Sequence, residues 1–216
     1  MNTHYLFLIM AILIPMISFS QEKNIRLPEP DRTGGIPLMK AMQERSSTRT
    51  FSTDPIELQQ LSNLCWSAWG INRSEAGKRT VPSSHNFQEM DLYVVLPEAV
   101  YVYDAINNQL VFYAEGDLRH YCGTQDFVAK APVNFMYVAN LQKRGLKLPE
   151  EINDGSLLSS WANAGFMAQN VYLSCASQGL GTVIRAMIDR DRFHLELKLS
   201  PMQRVILGQT IGFQGK

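Results

Sequence analysis

Two arginines four residues apart, Arg45 and Arg49, enclose three hydroxyl side chains in the run Arg45-Ser46-Ser47-Thr48-Arg49. A guanidinium is a planar fork of donors matching phosphate oxygens, and Ser or Thr hydroxyls fill the acceptor sites that the fork leaves open. Further along, Pro82-Ser83-Ser84-His85-Asn86-Phe87-Gln88 reads as a turn that delivers an amide, Asn86, as combined donor and acceptor. A planar heterocycle with a phosphate tail needs both segments. Each also has a plainer reading. The arginine pair suits a solvated helix end with surface ion pairs, and Asn86 could cap its own turn.

The elements that must hold these residues follow from periodicity and breakers. Residues 21–36, with Pro28, Pro30, Gly34 and Gly35, predict an extended lead-in, and Pro37 opens a short helix through Glu44. Asp54-Pro55-Ile56-Glu57 reads as a capped helix start, with Leu58, Leu61, Leu64, Cys65 and Ala68 as the buried stripe and Gly70 as the stop. Leu92–Leu96, Val100–Tyr103 and Leu110–Tyr113 read as strands turned at Asn107-Asn108. Thr124–Lys130 looks helical, Val133–Ala139 has the length of a core strand, and 141–156 is a polar connection.

Leu157–Gln178 is the longest helical segment, with Leu158, Trp161, Ala162, Gly165, Ala168, Tyr172, Leu173 and Ala176 on one face. A helix so apolar is buried by its own domain or by a second subunit. Gly179-Leu180-Gly181 stops it, and Thr182–Ile188 and Gln203–Ile211 complete the strands. Strands alternating with helices around a hairpin predict an α+β, three-layer fold with a central mixed sheet.

At 216 residues, one domain is expected. Twenty basic side chains balance 20 acidic ones, so no overall field draws the chain to nucleic acid or an anionic membrane, and any anion site must be local. Tyr5–Phe19 is apolar apart from Ser18 and is followed by Ser18-Phe19-Ser20, the pattern of a signal peptide over 1–20. About 15 apolar residues fall short of the roughly 20 that span a bilayer, so the chain is expected to be exported and, once cleaved, to keep no membrane span. Left uncleaved, the segment would act as an anchor. Three widely spaced cysteines, Cys65, Cys122 and Cys175, do not make a disulfide framework. Gly-x-Gly-x-x-Gly, Walker, Gly-x-Ser-x-Gly and Cys-x-x-Cys patterns are missing, and His85, His120 and His194 lack metal-ligand spacing.

In order along the chain, the two opening segments resemble the FMN-dependent nitroreductase superfamily, whose members carry an early Arg-x-Ser-x-Arg and a later Pro-Ser-Ser-x-Asn-x-Gln. The tract Cys65-Trp66-Ser67-Ala68-Trp69-Gly70-Ile71-Asn72-Arg73 with Arg79-Thr80-Val81-Pro82-Ser83 is similar to the branch that includes the peptide azoline dehydrogenases. The resemblance implies a cofactor-binding domain over 37–216 and an intertwined homodimer with FMN at the interface. Arg45, Ser46, Ser47 and Arg49 then hold the phosphate and ribityl end, and Pro82, Ser83 and Ser84 pass along the ring. Asn86 bonds the ring, with Gln88 behind it. Arg185 and Ala186 lie against the flavin by position, and Lys216 near the phosphate. It also implies that reduced nicotinamide, NAD(P)H, gives hydride to the flavin, which reduces a small organic acceptor such as a nitroaromatic or quinone. Two alternatives stay open: an exported FMN-binding protein without nicotinamide turnover, and a flavin reductase or dehalogenase on the same fold.

Overall fold

Strand β7, Val133–Asn140, is buried along nearly its whole length, and this requires cover on both faces of the sheet. The computed structural model describes residues 23–215, so the expected leader over 1–20 and Lys216 lie outside the described residues. Alternate side chains of β7 feed two separate cores, as the two-residue period of a strand dictates. Phe135, Tyr137 and Ala139 join Leu92 and Val94 in one, and Met136 and Val138 join Tyr93 and Val95 in the other.

Helix α2 (Leu58–Trp69) and helix α4 (Asp154–Gln178) cover the first face, through Leu61, Leu64, Cys65 and Ala68 and through Ala164, Met167, Ala168, Val171 and Cys175. The short helices α3 (Asp126–Lys130) and α5 (Arg190–Glu196) cover the second, with Val128 and Phe193 fully buried. The result is an α+β fold in three layers, as the alternation of elements predicts. Sequence pattern had not marked α5. Its seven residues, Arg-Asp-Arg-Phe-His-Leu-Glu, have only Phe193 buried, too little for a visible period.

Among the described residues the sheet has seven strands. With β1 (Ile25–Arg26), β4 (Met90–Val95), β5 (Ala99–Asp104), β6 (Gln109–Glu115), β8 (Gly181–Arg185) and β9 (Gln203–Gly212), the order is β1-β6-β5-β4-β7-β9-β8. Every pairing among the described residues is antiparallel, where a mixed sheet was expected. The connection β7-α4-β8 does run between parallel strands, but β9 inserts between them and pairs antiparallel with both. The Asn107-Asn108 turn forms as read, with Asn108 in the left-handed region (φ 47°) and Asp104 accepting from the amide N–H of Ile106.

Other expectations shift for local reasons. Helix α2 starts at Leu58 rather than after Asp54, because Ile56 packs on the core and keeps the chain extended. Glu57 is the cap, and its N–H donates to Gln60 Oε1. Helix α4 begins three residues early, at Asp154, because Asn153 caps it by accepting from the N–H of Ser156. Its inner face is not the expected stripe. Ser160, Asn163, Ala164, Met167, Ala168, Val171, Tyr172 and Cys175 are buried, while Leu158, Trp161 and Phe166 face outward. At its end Gly179 takes φ +69°, which a side chain resists.

All three thiols are free and buried. Burial pushes the Cys122 thiol up to about 12, and pushes Cys65 and Cys175 up as well. Since the thiolate is the nucleophile, Ellman's reagent at about pH 8 should find no reactive thiol in the native protein and all three after denaturation. A rapidly reacting thiol before unfolding contradicts this packing.

Candidate functional site

Helix α1 (Leu38–Glu44) ends at Arg45, and the chain then runs beside β8, the edge strand of the sheet. The Thr48 N–H donates to Thr182 O at 3.0 Å. Gly181 allows this approach, because a Cβ there would stand 3.0 Å from the Thr48 side chain. Beyond it, the Ser52 N–H donates to Phe213 O and the Gly215 N–H to Thr50 O. The arginine segment is therefore a strap fixed on two sides.

Tyr172 of α4 sets its side chains. The Tyr172 hydroxyl accepts from the Ile184 N–H at 3.0 Å and shares a hydrogen bond with Ser47 Oγ at 2.9 Å. The Arg45 guanidinium carbon stands 5.2 Å from the centre of the Tyr172 ring, a cation–π contact. Arg45 is half-buried, and Ser46, Ser47 and Arg49 are exposed. Neither arginine forms an ion pair among the described residues. Two cations without an ion-pair partner, with the exposed Ser46 and the Tyr172-oriented Ser47 between them, fit a phosphate.

The second segment is held elsewhere. His85, Asn86 and Gln88 all take positive φ, 49°, 55° and 49°. For residues with a Cβ, such conformations persist only where the surroundings over-determine them. Here the Gln88 N–H donates to Ser83 Oγ at 2.8 Å, and the Asn86 N–H donates to Ser83 O at 2.9 Å. Gln88 Nε2 donates to Asn86 Oδ1 at 3.2 Å and to Gly77 O at 3.0 Å. Gln88 thus orients the Asn86 amide, leaving its NH2 exposed as a donor. Pro82 is exposed, and Ser84 meets His85 Nδ1 at 3.1 Å.

Beneath this loop lies Glu89, fully buried. Its Oε1 accepts from Ser160 Oγ and from Asn163 Nδ2 of α4, each at 2.9 Å, and its Oε2 accepts from Ser83 Oγ at 3.3 Å. Sequence reasoning passed over Glu89, and no local pattern distinguishes it from a surface glutamate at a strand start. Tyr172 was placed only by its period, which says nothing of a hydroxyl that reaches both β8 and the strap.

The two segments meet α4 at Tyr172 and at Asn163 and Ser160, nine and twelve residues apart. At 1.5 Å per residue that is roughly 14 to 18 Å along the axis. One chain does not bring them together by any hydrogen bond among the described residues. Arg185 is 6% exposed and turned inward. Its Nη2 donates to Cys122 O at 2.9 Å and Asn134 Oδ1 at 3.0 Å, and burial pulls its pKa down to about 10. Next to it, Ala186 is exposed, so a ligand at this strand end meets backbone and Ala186 rather than the guanidinium.

Comparison with known proteins agrees over most of the length. The model of the Nitroreductase family matches residues 42–213. A candidate nitroreductase of Methanocaldococcus jannaschii is 29% identical over 200 residues, covering 87% of this chain and 97% of that protein. The crystal structure of a candidate nitroreductase from Ralstonia eutropha superposes with a TM-score of 0.83 at 42% identity, over 91% of this chain and 92% of the other. The NADPH:FMN oxidoreductase of Vibrio harveyi, solved with NAD+, shares the fold at a TM-score of 0.59 and 21% identity, over 83% of this chain and 68% of that one.

Removing the Glu89 carboxyl strands the buried donors of Ser160 and Asn163 and the half-buried Ser83 hydroxyl. Glu89→Ala should lower unfolding stability by about 3 to 5 kcal/mol, the range for breaking a buried polar network. Glu89→Gln, which keeps the shape and one acceptor, should lose clearly less. Urea denaturation followed by tryptophan fluorescence measures both, and equal losses would show that volume rather than hydrogen bonding holds the loop.

Proposed function

The chain belongs to the Nitroreductase family, and on that premise we propose that it is an FMN-dependent oxidoreductase using reduced nicotinamide and a small organic acceptor. The observation that carries the reading is the uncompensated pair Arg45 and Arg49 on a fixed strap, with Ser46 and Ser47 exposed between them. These residues fit the phosphate and ribityl end of FMN. The exposed donor of Asn86, oriented by Gln88, fits the ring edge. Bound there, FMN would supply the two-electron chemistry between NAD(P)H and an acceptor such as a nitroaromatic or quinone.

The protein's own part is placement. Arg45, stacked on Tyr172, is pre-organised and loses little freedom when it meets a phosphate. The strained 83–88 loop keeps the Asn86 amide in one orientation, and a donor aimed at developing negative charge lowers a barrier without reorganising. The strap and the loop sit apart on α4, and the reading shares the ligand between two copies. The same helix turns Leu158, 73% exposed, with Trp161 and Phe166 outward, and α1 adds Met39, 74% exposed. A two-fold dimer covers this surface and joins the strap of one copy to the loop of the other.

FMN titration of the purified protein should saturate at one per chain, with light scattering near twice the chain mass. Arg45→Ala should weaken FMN binding tenfold to a hundredfold, the range for one charge-assisted contact. No saturable binding in the wild type would sink the reading.

Asn86→Ala should bind FMN with a penalty near 1 kcal/mol, because the phosphate contacts remain. Its larger effect should fall on the rate at which saturating NADH or NADPH reduces the bound flavin in stopped flow. A wild type that dithionite reduces and neither nicotinamide does would instead mark an FMN-binding protein served by another donor.

A further inference from the structure

The ribbon of β2 (Ile71–Arg73) and β3 (Lys78–Arg79) carries Arg73, Lys78 and Arg79 in three of its five positions. Arg73 and Lys78 are direct cross-strand partners. Like charges facing each other across a ribbon repel. Among the described residues none of the three makes an ion pair, and Glu75 at the ribbon's tip pairs with none of them. The three line a cavity of about 230 Å³ together with Val81, Pro82, Ser83, Asn86 and Gln88, and no carboxylate lines it.

Arg79 is the fixed member. Its Nε donates to Gln88 Oε1 and its Nη1 to Trp69 O, each at 2.8 Å, and its guanidinium carbon lies 4.6 Å from the centre of the Trp69 ring. Its Nη2 has no partner among these bonds. Gln88 in turn holds Asn86, so the cavity is joined to the ring-facing amide through two hydrogen bonds. The volume is below the roughly 300 Å³ at which pockets enclose whole ligands, so it suits one end of a molecule whose remainder lies outside.

We propose that this cavity binds an oxyanion, a carboxylate or phosphate, carried by a substrate that reacts beside Asn86, so that Arg73, Lys78 and Arg79 select for acidic substrates. The proposal rests on the flavin reading for the reaction and on the cavity alone for the anion. The open Nη2 of Arg79 and the neighbouring Lys78 ammonium suit either group.

The test uses the double variant Arg73→Gln/Lys78→Gln of the full chain, sparing Arg79 because it supports Gln88. Probes differ by one anionic group: 4-nitrobenzoate against nitrobenzene, and NADPH against NADH. Dissociation constants are read by saturation-transfer NMR, with and without added FMN. The wild type should bind 4-nitrobenzoate or NADPH more tightly than the uncharged or less charged counterpart. The variant should lose that advantage by about tenfold, and salt should erode it in the wild type, as for a partly exposed charge pair. Loss on the benzoate assigns the anion to the acceptor, and loss on NADPH assigns it to the donor. An unchanged preference for both anionic probes, or a variant that loses FMN affinity instead, overturns the proposal. Because 4-nitrobenzoate is also titrated without cofactor, a failure of FMN binding is seen separately.

Discussion

The Glu89 carboxyl group is where the architecture of the site is tied together. Its backbone accepts from nothing exotic: the Asn140 N–H donates to Glu89 O at 2.8 Å, which joins the start of β4 to the end of β7. Its side chain takes donors from Ser160 and Asn163 and from Ser83. One residue therefore fixes the angle of α4 on the sheet and the base of a loop with three left-handed residues. A long helix is stiff, so what is fixed at Asn163 is transmitted to Tyr172. There the hydroxyl sets Ser47 and the Ile184 N–H. Both halves of the site thus take their positions from α4.

The strap solves a second problem of the fold. Strand β8 is an edge, and its outward N–H and C=O groups would invite another strand. Thr48 takes one of them and Tyr172 another. The residues that present Arg45 and Arg49 are thereby also the cover of the sheet. A single arginine can change without loss of the edge, since the pairing runs through the backbone of Thr48 and a tyrosine on another element.

Sequence pattern reached the parts of the fold that have a period. The strands from β4 to β7, the hairpin turn at Asn107-Asn108, and α2 and α4 were legible because apolar residues recur at two or at three to four. The antiparallel sheet was not, because the position of β9 between β7 and β8 depends on a pairing seventy residues away that no local pattern encodes. The orientation of α4 was misread for a related reason. Its inner face includes Ser160 and Asn163, polar residues buried only because Glu89 meets them, while Leu158 and Trp161 point outward. A periodicity argument ranks residues by polarity, and here the polar ones are inside. The two motif segments were legible by type and spacing, but the buried Arg185 shows that position alone does not give side-chain direction.

Charge makes the same point at a larger scale. Equal numbers of acidic and basic groups give a neutral chain, yet neutrality is an average over the surface. Exposed charges beyond a Debye length, about 8 Å at physiological salt, are largely screened from one another. What an approaching ligand meets is the local arrangement. Lys23, Lys40, Lys143, Arg119 and Arg192 are matched with acids, at ordinary surface positions. Arg45 and Arg49 on the strap, and Arg73, Lys78 and Arg79 on the ribbon, are not. Of these, Arg45 on the Tyr172 ring and Arg79 on Gln88 and Trp69 are held in direction by contacts of their own. A flexible lysine anywhere on the surface would add as much to the net charge and define no site.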